Sequence, residues 1–147
     1  MIKNIMVAVD GSPPATRALA LGADIAMRYG AGLHVVHVIT DVTVPEGFEE
    51  FARIERVDTP AWVQMGRVGE AVLGAARADA TAKGVQEVRT HVLTGDPAEQ
   101  LLGYAHDRGI DLIIMGRRGL GRIQGVLMGS VSAKVSSLAE CPVVTVK

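Results

Sequence analysis

Late in the chain, Gly116, Gly119 and Gly129 are followed at once by Ser130. Two residues separate the first pair of glycines and nine separate the second. Glycine lets a backbone turn tightly and come close to a ligand. The first N–H groups of a helix have no partner within it and attract anions, helped by the helix dipole. A glycine loop that ends in serine at a helix start is therefore suited to cradling a phosphate chain. The Ser130 hydroxyl can add one hydrogen bond to a phosphate oxygen, and Arg117, Arg118 and Arg122 supply positive charge nearby. Asp10, which closes the apolar run Asn4-Ile5-Met6-Val7-Ala8-Val9, offers a carboxylate for the same site. Simpler uses exist for each residue. Glycines after a strand also make plain turns, serine also caps helices, and an acid before a helix also serves the dipole. What favours phosphate is the placement of the whole set at strand ends.

Other chemistry-bearing residues have plainer readings. His34 and His37 lie an odd number of positions apart on one strand, so their side chains point to opposite faces and cannot share a metal. His91 and His106 have no partner nearby in sequence. Cys141 is the only cysteine, which excludes an intrachain disulfide and a cysteine-based zinc cluster, and it reads as a small apolar packing residue. Glu46, Glu49 and Glu50 read as a solvated face, and Trp62 receives no role. No Gly-x-Gly-x-x-Gly follows the first strand and no Gly-Lys-Ser/Thr is present, which disfavours a dinucleotide Rossmann site and a P-loop.

The elements that must position these residues alternate. Asn4–Asp10 is a nearly continuous apolar run, as in a strand covered on both faces. Ser12 is placed to cap a helix with Pro13 at its first position. Ala15, Ala18, Leu19, Gly22, Ile25, Ala26 and Tyr29 follow as its buried stripe, and Gly30 and Gly32 stop it. Leu33–Thr40 is a β-branched second strand. The stretch from Asp41 to Thr59 has no steady period and reads as a long, partly helical, mobile excursion. Pro60–Lys83 is helical in composition and ends at Gly84; Glu87–Thr94 is a third strand. Asp96-Pro97-Ala98-Glu99 is a helix start with a capping box, Ala98, Leu101, Leu102 and Ala105 form the stripe behind it, and Gly109 ends it. Asp111–Met115 is the fourth strand. After the glycine loop comes a helix from Ser130 to Ala139 with Val131, Val135 and Leu138 inward, then Val143–Val146 as the last strand.

Strands alternating with helices require a parallel sheet with right-handed crossovers. The expected fold is one open, doubly wound α/β domain over residues 1–147, with helices on both faces. Ligands of such sheets lie outside the carboxyl ends of the strands, where strand order reverses. That places the site at Asp10 after the first strand and at Gly116 after the fourth.

Composition narrows the function classes. The 147 residues carry a net charge of −1, so no field draws the chain onto nucleic acid or an anionic membrane. Aromatic residues make up 3%, too few for a base-stacking platform. The opening MIKNIMVAVDGS is interrupted too soon for a secretory leader, and no apolar run is long enough to span a membrane, so cytoplasmic residence is the expectation.

The sequence also resembles the ATP-binding type of universal stress protein. The resemblance runs through V-A-V-D-G-S at 7–12, H-V-I-T at 37–40, G-D-P-A at 95–98, D-L-I-I-M-G at 111–116, the glycine loop to Gly129-Ser130, and C-P-V-V-T-V at 141–146. It implies a five-stranded sheet of order 3-2-1-4-5, with Asp10 and Gly116 side by side. It implies ATP as ligand, with magnesium. Ala8 and Asp10 would stand beside the nucleoside, with Asp10 reaching the ribose or the phosphate-bound metal. Val38 would meet adenine through its backbone. Met115, Gly116, Arg117, Arg118, Gly119, Gly129 and Ser130 would surround ribose and phosphates, with Val131 adding a backbone N–H. The residue after Gly116 is often Ser or Thr in that family, whereas here it is Arg117, which can also serve a phosphate. The resemblance further implies a homodimer through Val143–Val146, a short apolar strand with no blocking charge before Lys147.

The leading functional expectation is a regulatory, stress-response protein in which ATP occupancy biases a loop or an interface, with the Arg117–Met128 loop as the element that orders. One alternative is a slow ATPase or autophosphorylating enzyme, although no general base or arginine finger is positioned by motif. Another is a nucleotide-free homodimeric interaction module.

Overall fold

The computed structural model describes residues 1–40, 61–119 and 128–147. The expectations for Asp41–Pro60, including the Glu46, Glu49 and Glu50 cluster, the side chain of Trp62, Arg122 and residues 120–127 of the glycine loop lie outside the described residues.

Five strands and four helices alternate within the described residues: β1 (Asn4–Ala8), α1 (Pro13–Tyr29), β2 (Gly32–Ile39), α2 (Ala61–Ala82), β3 (Val88–Thr94), α3 (Pro97–Asp107), β4 (Leu112–Gly116), α4 (Ser130–Leu138) and β5 (Val143–Val146). The strands form one sheet in the order β3-β2-β1-β4-β5, and every neighbouring pair is parallel. Central β1 pairs Val7 with Val35 on one side and with Ile114 on the other. The doubly wound order implied at the outset is the one observed.

Alternation along the strands sorts the core into two layers. Ile5, Val7, Leu33, Val35, Leu112 and Ile114 pack against α1 and α2. Met6, Val36, Ile113 and Met115 pack against α3 and α4. Helices thus cover both faces, which is why the central strands read as unbroken apolar runs. Gly22 belongs to the α1 stripe because α1 presses onto β1 there: a Cβ on Gly22 would lie 2.4 Å from Val7 Cγ2.

Local signals formed most of the expected boundaries. Ser12 caps α1, its Oγ accepting from the Ala15 N–H, and Gly30 ends the helix at φ 64°. Asp96 caps α3 by accepting from the Glu99 N–H at 2.9 Å. The reciprocal half of the capping box is replaced by a contact between Glu99 Oε1 and Lys134 Nζ at 3.5 Å.

Three expectations are corrected. Strand β1 stops at Ala8 rather than Asp10, because Asp10 Oδ1 accepts from the Ser12 N–H and Gly11 turns the chain at φ 82°. Tyr29 is 58% exposed: it is the last residue of α1, and the buried row of the helix ends at Ala26. Leu138 is 59% exposed; the inner row of α4 runs through Val131, Val135 and Ala139, four residues apart, with Ser132 beside it.

Candidate functional site

Strands β1 and β4 are sheet neighbours whose following segments leave on opposite sides, so a cleft opens at their carboxyl ends. A cavity of about 560 Å³ occupies it. Every site residue expected from the sequence lines this cavity. Ala8 and Asp10 come from the end of β1, and Val38 comes from β2. Met115 and Gly116 come from the end of β4, and Arg117, Arg118 and Gly119 from the segment after it. Gly129, Ser130 and Val131 come from the start of α4.

The glycines are required by close approaches. A Cβ on Gly119 would lie 2.7 Å from Asp10 Oδ2. One on Gly116 would lie 2.9 Å from Pro14 Cβ and 3.1 Å from the Arg118 carbonyl oxygen. One on Gly129 would lie 3.3 Å from the Arg117 carbonyl oxygen. The chain after β4 therefore passes over Asp10 and returns against its own backbone, so that Gly116 and Gly129 are crowded by backbone atoms and Gly119 by the Asp10 carboxylate.

The loop is closed by a knot of bonds at Arg117. Its N–H donates to the Val146 carbonyl at 2.6 Å, extending the β4–β5 ladder. Its carbonyl accepts from the Gly129 N–H at 2.8 Å and from Ser132 Oγ at 2.7 Å. Ser132 Oγ also lies 3.0 Å from the Gly129 carbonyl oxygen. Both ends of the loop are thus pinned at the first turn of α4, where the leading N–H groups of the helix have no intrahelical acceptor. Gly129 caps α4 without a side chain, and no side-chain cap hydrogen bond forms there among the described residues. The Nε atoms of Arg117 and Arg118 are buried and have no hydrogen-bond partner among the described residues.

Asp10 uses Oδ1 for the Ser12 N–H, while Oδ2 faces Gly119. No group of three or more His, Cys, Asp or Glu is arranged for a metal among the described residues. A cation at Asp10 would need most of its oxygens from a ligand, as magnesium commonly has from phosphates and water.

The other wall was not legible in sequence. Met65 and Val68 of α2, Ile39 of β2, and Pro97 and Leu101 of α3 give it an apolar lining. His37 also lines it, with Nδ1 2.8 Å from the Val9 carbonyl oxygen and its ring in the notch left by Gly69 on α2. Ser132 is buried at 2% exposure. Its signal was present as the second hydroxyl in Gly129-Ser130-Val131-Ser132. The contacts of His37 and Met65 depend on how α2 lies across β2, which no local pattern encodes.

Among the described residues, the other histidines and the cysteine stand apart from the cavity. His34 and His37 point to opposite faces, as expected: His34 Nδ1 lies 2.8 Å from Tyr104 Oη under α3, away from the Val9 carbonyl that His37 meets. His106 finds Glu140 at 3.1 Å. Cys141 is half-buried, and burial pushes its thiol up. No helix among the described residues is long and apolar enough to cross a membrane.

Comparison with known proteins agrees with this architecture. The sequence model of the universal stress protein family matches residues 1–147. A universal stress protein of Thermus aquaticus, encoded in the QAH/OAS sulfhydrylase 3′ region, is 38% identical, with 100% of each chain covered. Among solved structures, universal stress protein UspA from Lactobacillus plantarum superimposes with a TM-score of 0.83 at 22% identity, covering 99% of this chain and 97% of that one. A universal stress protein crystallised in complex with cAMP gives a TM-score of 0.75 at 25% identity, with coverage of 99% and 97%. A match over the full sequence, joined to a sheet of the same order, makes this chain a member of the universal stress protein family.

Proposed function

We propose that the cavity binds ATP and that its occupancy makes the protein a nucleotide-dependent regulator in the stress response, resident in the cytoplasm. The observation that carries this reading is the set of groups meeting in one cleft. They are the N-terminus of α4, which no side chain caps among the described residues, the Arg117 and Arg118 side chains that line the cavity, and the Asp10 carboxylate under Gly119. These suit a polyphosphate and an accompanying cation. The apolar wall of Val38, Ile39, Met65 and Val68 suits a flat base. The cAMP complex of a relative supports an adenine nucleotide as the ligand class.

In this reading Ser130 and Val131 offer backbone N–H groups to phosphate oxygens, the Ser130 hydroxyl adds one more donor, and Gly129, whose own N–H is spent on Arg117, holds the turn in place. Gly116 and Gly119 keep the loop clear of the ligand. Asp10 holds magnesium that is also bound by phosphate; the ion neutralises phosphate charge. A ligand shifts a protein only by binding one conformation better than another. The segment after Arg117, anchored by Ser132 and Gly129, is the element whose order ATP would favour.

Sheet position supports a homodimer as part of the proposal. Strand β5 lies at an edge, and all four of its residues are half-buried in the single chain. Sedimentation at micromolar concentration should give twice the monomer mass; a monomeric mass would remove the dimer from the proposal.

The decisive experiment is to denature freshly purified protein and identify released nucleotide by mass spectrometry, with Gly129→Val as control. ATP from the native protein and none from a folded control supports the reading. Absence of nucleotide, followed by no binding on titration with ATP and magnesium, overturns it. Release of AMP or cAMP instead keeps the site and corrects the ligand.

A further inference from the structure

A stack of two histidines and a tyrosine, with His34 and Tyr104 buried and His91 half-buried, lies under α3, on the β2–β3 side of the sheet. His34 is 1% exposed, and its Nδ1 is 2.8 Å from Tyr104 Oη. The His91 ring stacks on it with centroids 6.2 Å apart and planes 17° apart, and lies 5.0 Å from the Tyr104 ring. Strand geometry places the pair: His91 registers with Val36, two residues along from His34 and therefore on the same face.

This stack has no place for an added charge. Nε2 of His34 and Nε2 of His91 are buried without a hydrogen-bond partner among the described residues. If His34 Nδ1 accepts from the tyrosine, its Nε2–H is unpaired; if Nδ1 donates, Nε2 is a bare acceptor. With both nitrogens of His34 protonated, Nδ1–H can donate to Tyr104 Oη, but Nε2–H is left without an acceptor among the described residues. The surrounding charges discourage a further proton. Arg89 comes from β3, and Arg108 follows α3 with its guanidinium carbon 5.7 Å from the Tyr104 ring centroid. Glu87, the acid that acts on His34, is paired with Arg89. From β1 the registered neighbour of His34 is apolar Met6.

We propose that this stack is an acid-sensitive joint: neutral imidazoles seat α3 on β2 and β3, and protonation of either ring loosens the helix. Burial, reinforced by Arg89, His91 and Arg108, holds His34 below the ordinary imidazole value of 6.5. Burial, then Arg108 and Arg89, does the same for His91. The folded chain therefore binds fewer protons at these rings than the unfolded chain. Their contribution to stability is complete above 6.5 and is lost as pH falls toward the folded values. Exposed His106 on the same helix acts with the opposite sign, because Glu140 raises it. Since α3 carries Pro97 and Leu101 on the cavity wall, loosening it reshapes the cavity. The inference does not depend on what the cavity holds.

The test uses the full chain without ligand. Imidazole resonances are titrated by NMR, and α3 amide exchange is compared at pH 7.5 and 5.5 after correction for intrinsic rates. The expected result is that His34 and His91 titrate below the free imidazole. Opening of α3 should rise on the order of tenfold at pH 5.5. In the His34→Gln/His91→Gln protein the rise should vanish, while His106→Asn keeps it. Titration of both stacked rings at or above the free value, readable in the unmodified protein alone, overturns the proposal. So does α3 opening that is the same at both pH values.

Discussion

Two aspartates at opposite ends of the β1–β4 pair show what separates a structural end of this sheet from a binding end. Asp111 precedes β4, and its Oδ2 accepts from the Lys3 N–H at 2.8 Å and the Asn4 N–H at 2.9 Å. Those bonds stitch the start of β1 to the start of β4 and hold the carboxyl below its usual value. Asp10 follows β1; one oxygen serves the Ser12 turn and the other faces the glycine segment at the cavity. The two acids are chemically identical. They differ in what lies around them: Asp111 spends one oxygen on two N–H groups that tie the strand starts together, whereas Asp10 spends one on a local turn and turns the other to the glycine segment at the cavity.

Substitutions can break or sharpen that contrast. The largest effect is expected from Gly119→Ala, whose Cβ would press on Asp10 Oδ2. Calorimetry should show ATP affinity falling about 30- to 100-fold, the range that one added methyl group costs in a fitted pocket, with the urea midpoint little changed because the Asp10 carboxylate can rotate away. Asp10→Asn keeps an oxygen for the Ser12 N–H and removes the charge. It should cost about tenfold in affinity with magnesium and much less without it, while stability changes by no more than about 0.5 kcal/mol. An equal loss with and without magnesium would deny Asp10 its metal role.

At the other end the pattern should invert. Asp111→Ala should leave ATP affinity unchanged and lower stability by about 1 kcal/mol, modest because the carboxylate is solvent-accessible. Since the folded carboxyl lies below 3.8, the gap between wild type and variant should be full above that value. It should close as pH falls through the folded value, which urea titrations at several pH values would follow. The smallest effect is expected for Ser132→Ala, which unties the Arg117 carbonyl from α4. A loss of about fivefold in affinity would mark it as a positioning residue, and no change in either affinity or stability would make its two bonds incidental.

How much could be read in advance depended on the range of the interaction. The caps at Ser12 and Asp96 and the stops at Gly30 and Gly109 involve residues a few positions apart, and they formed where expected. The glycine motif was legible because close approaches to backbone impose a residue type. Tyr29 and Leu138 were misplaced because helical spacing names a stripe without saying where the sheet beneath it ends. The His34–His91–Tyr104 stack was invisible, since three elements far apart in sequence meet there and none carries a motif.

By itself, the sequence determined the alternation of strands and helices, the parallel sheet that such alternation requires, and the glycine positions of the cleft. Each of these follows from local sterics, periodicity or the sparing use of a residue without a side chain. Only the tertiary structure decided that Met65, Val68 and His37 wall the cavity, that Ser132 closes the loop on Arg117, and that His34 is sealed beside His91. The physical reason is that side-chain environment is set by the packing of helices across strands, a relation between distant segments that leaves little trace in any one of them.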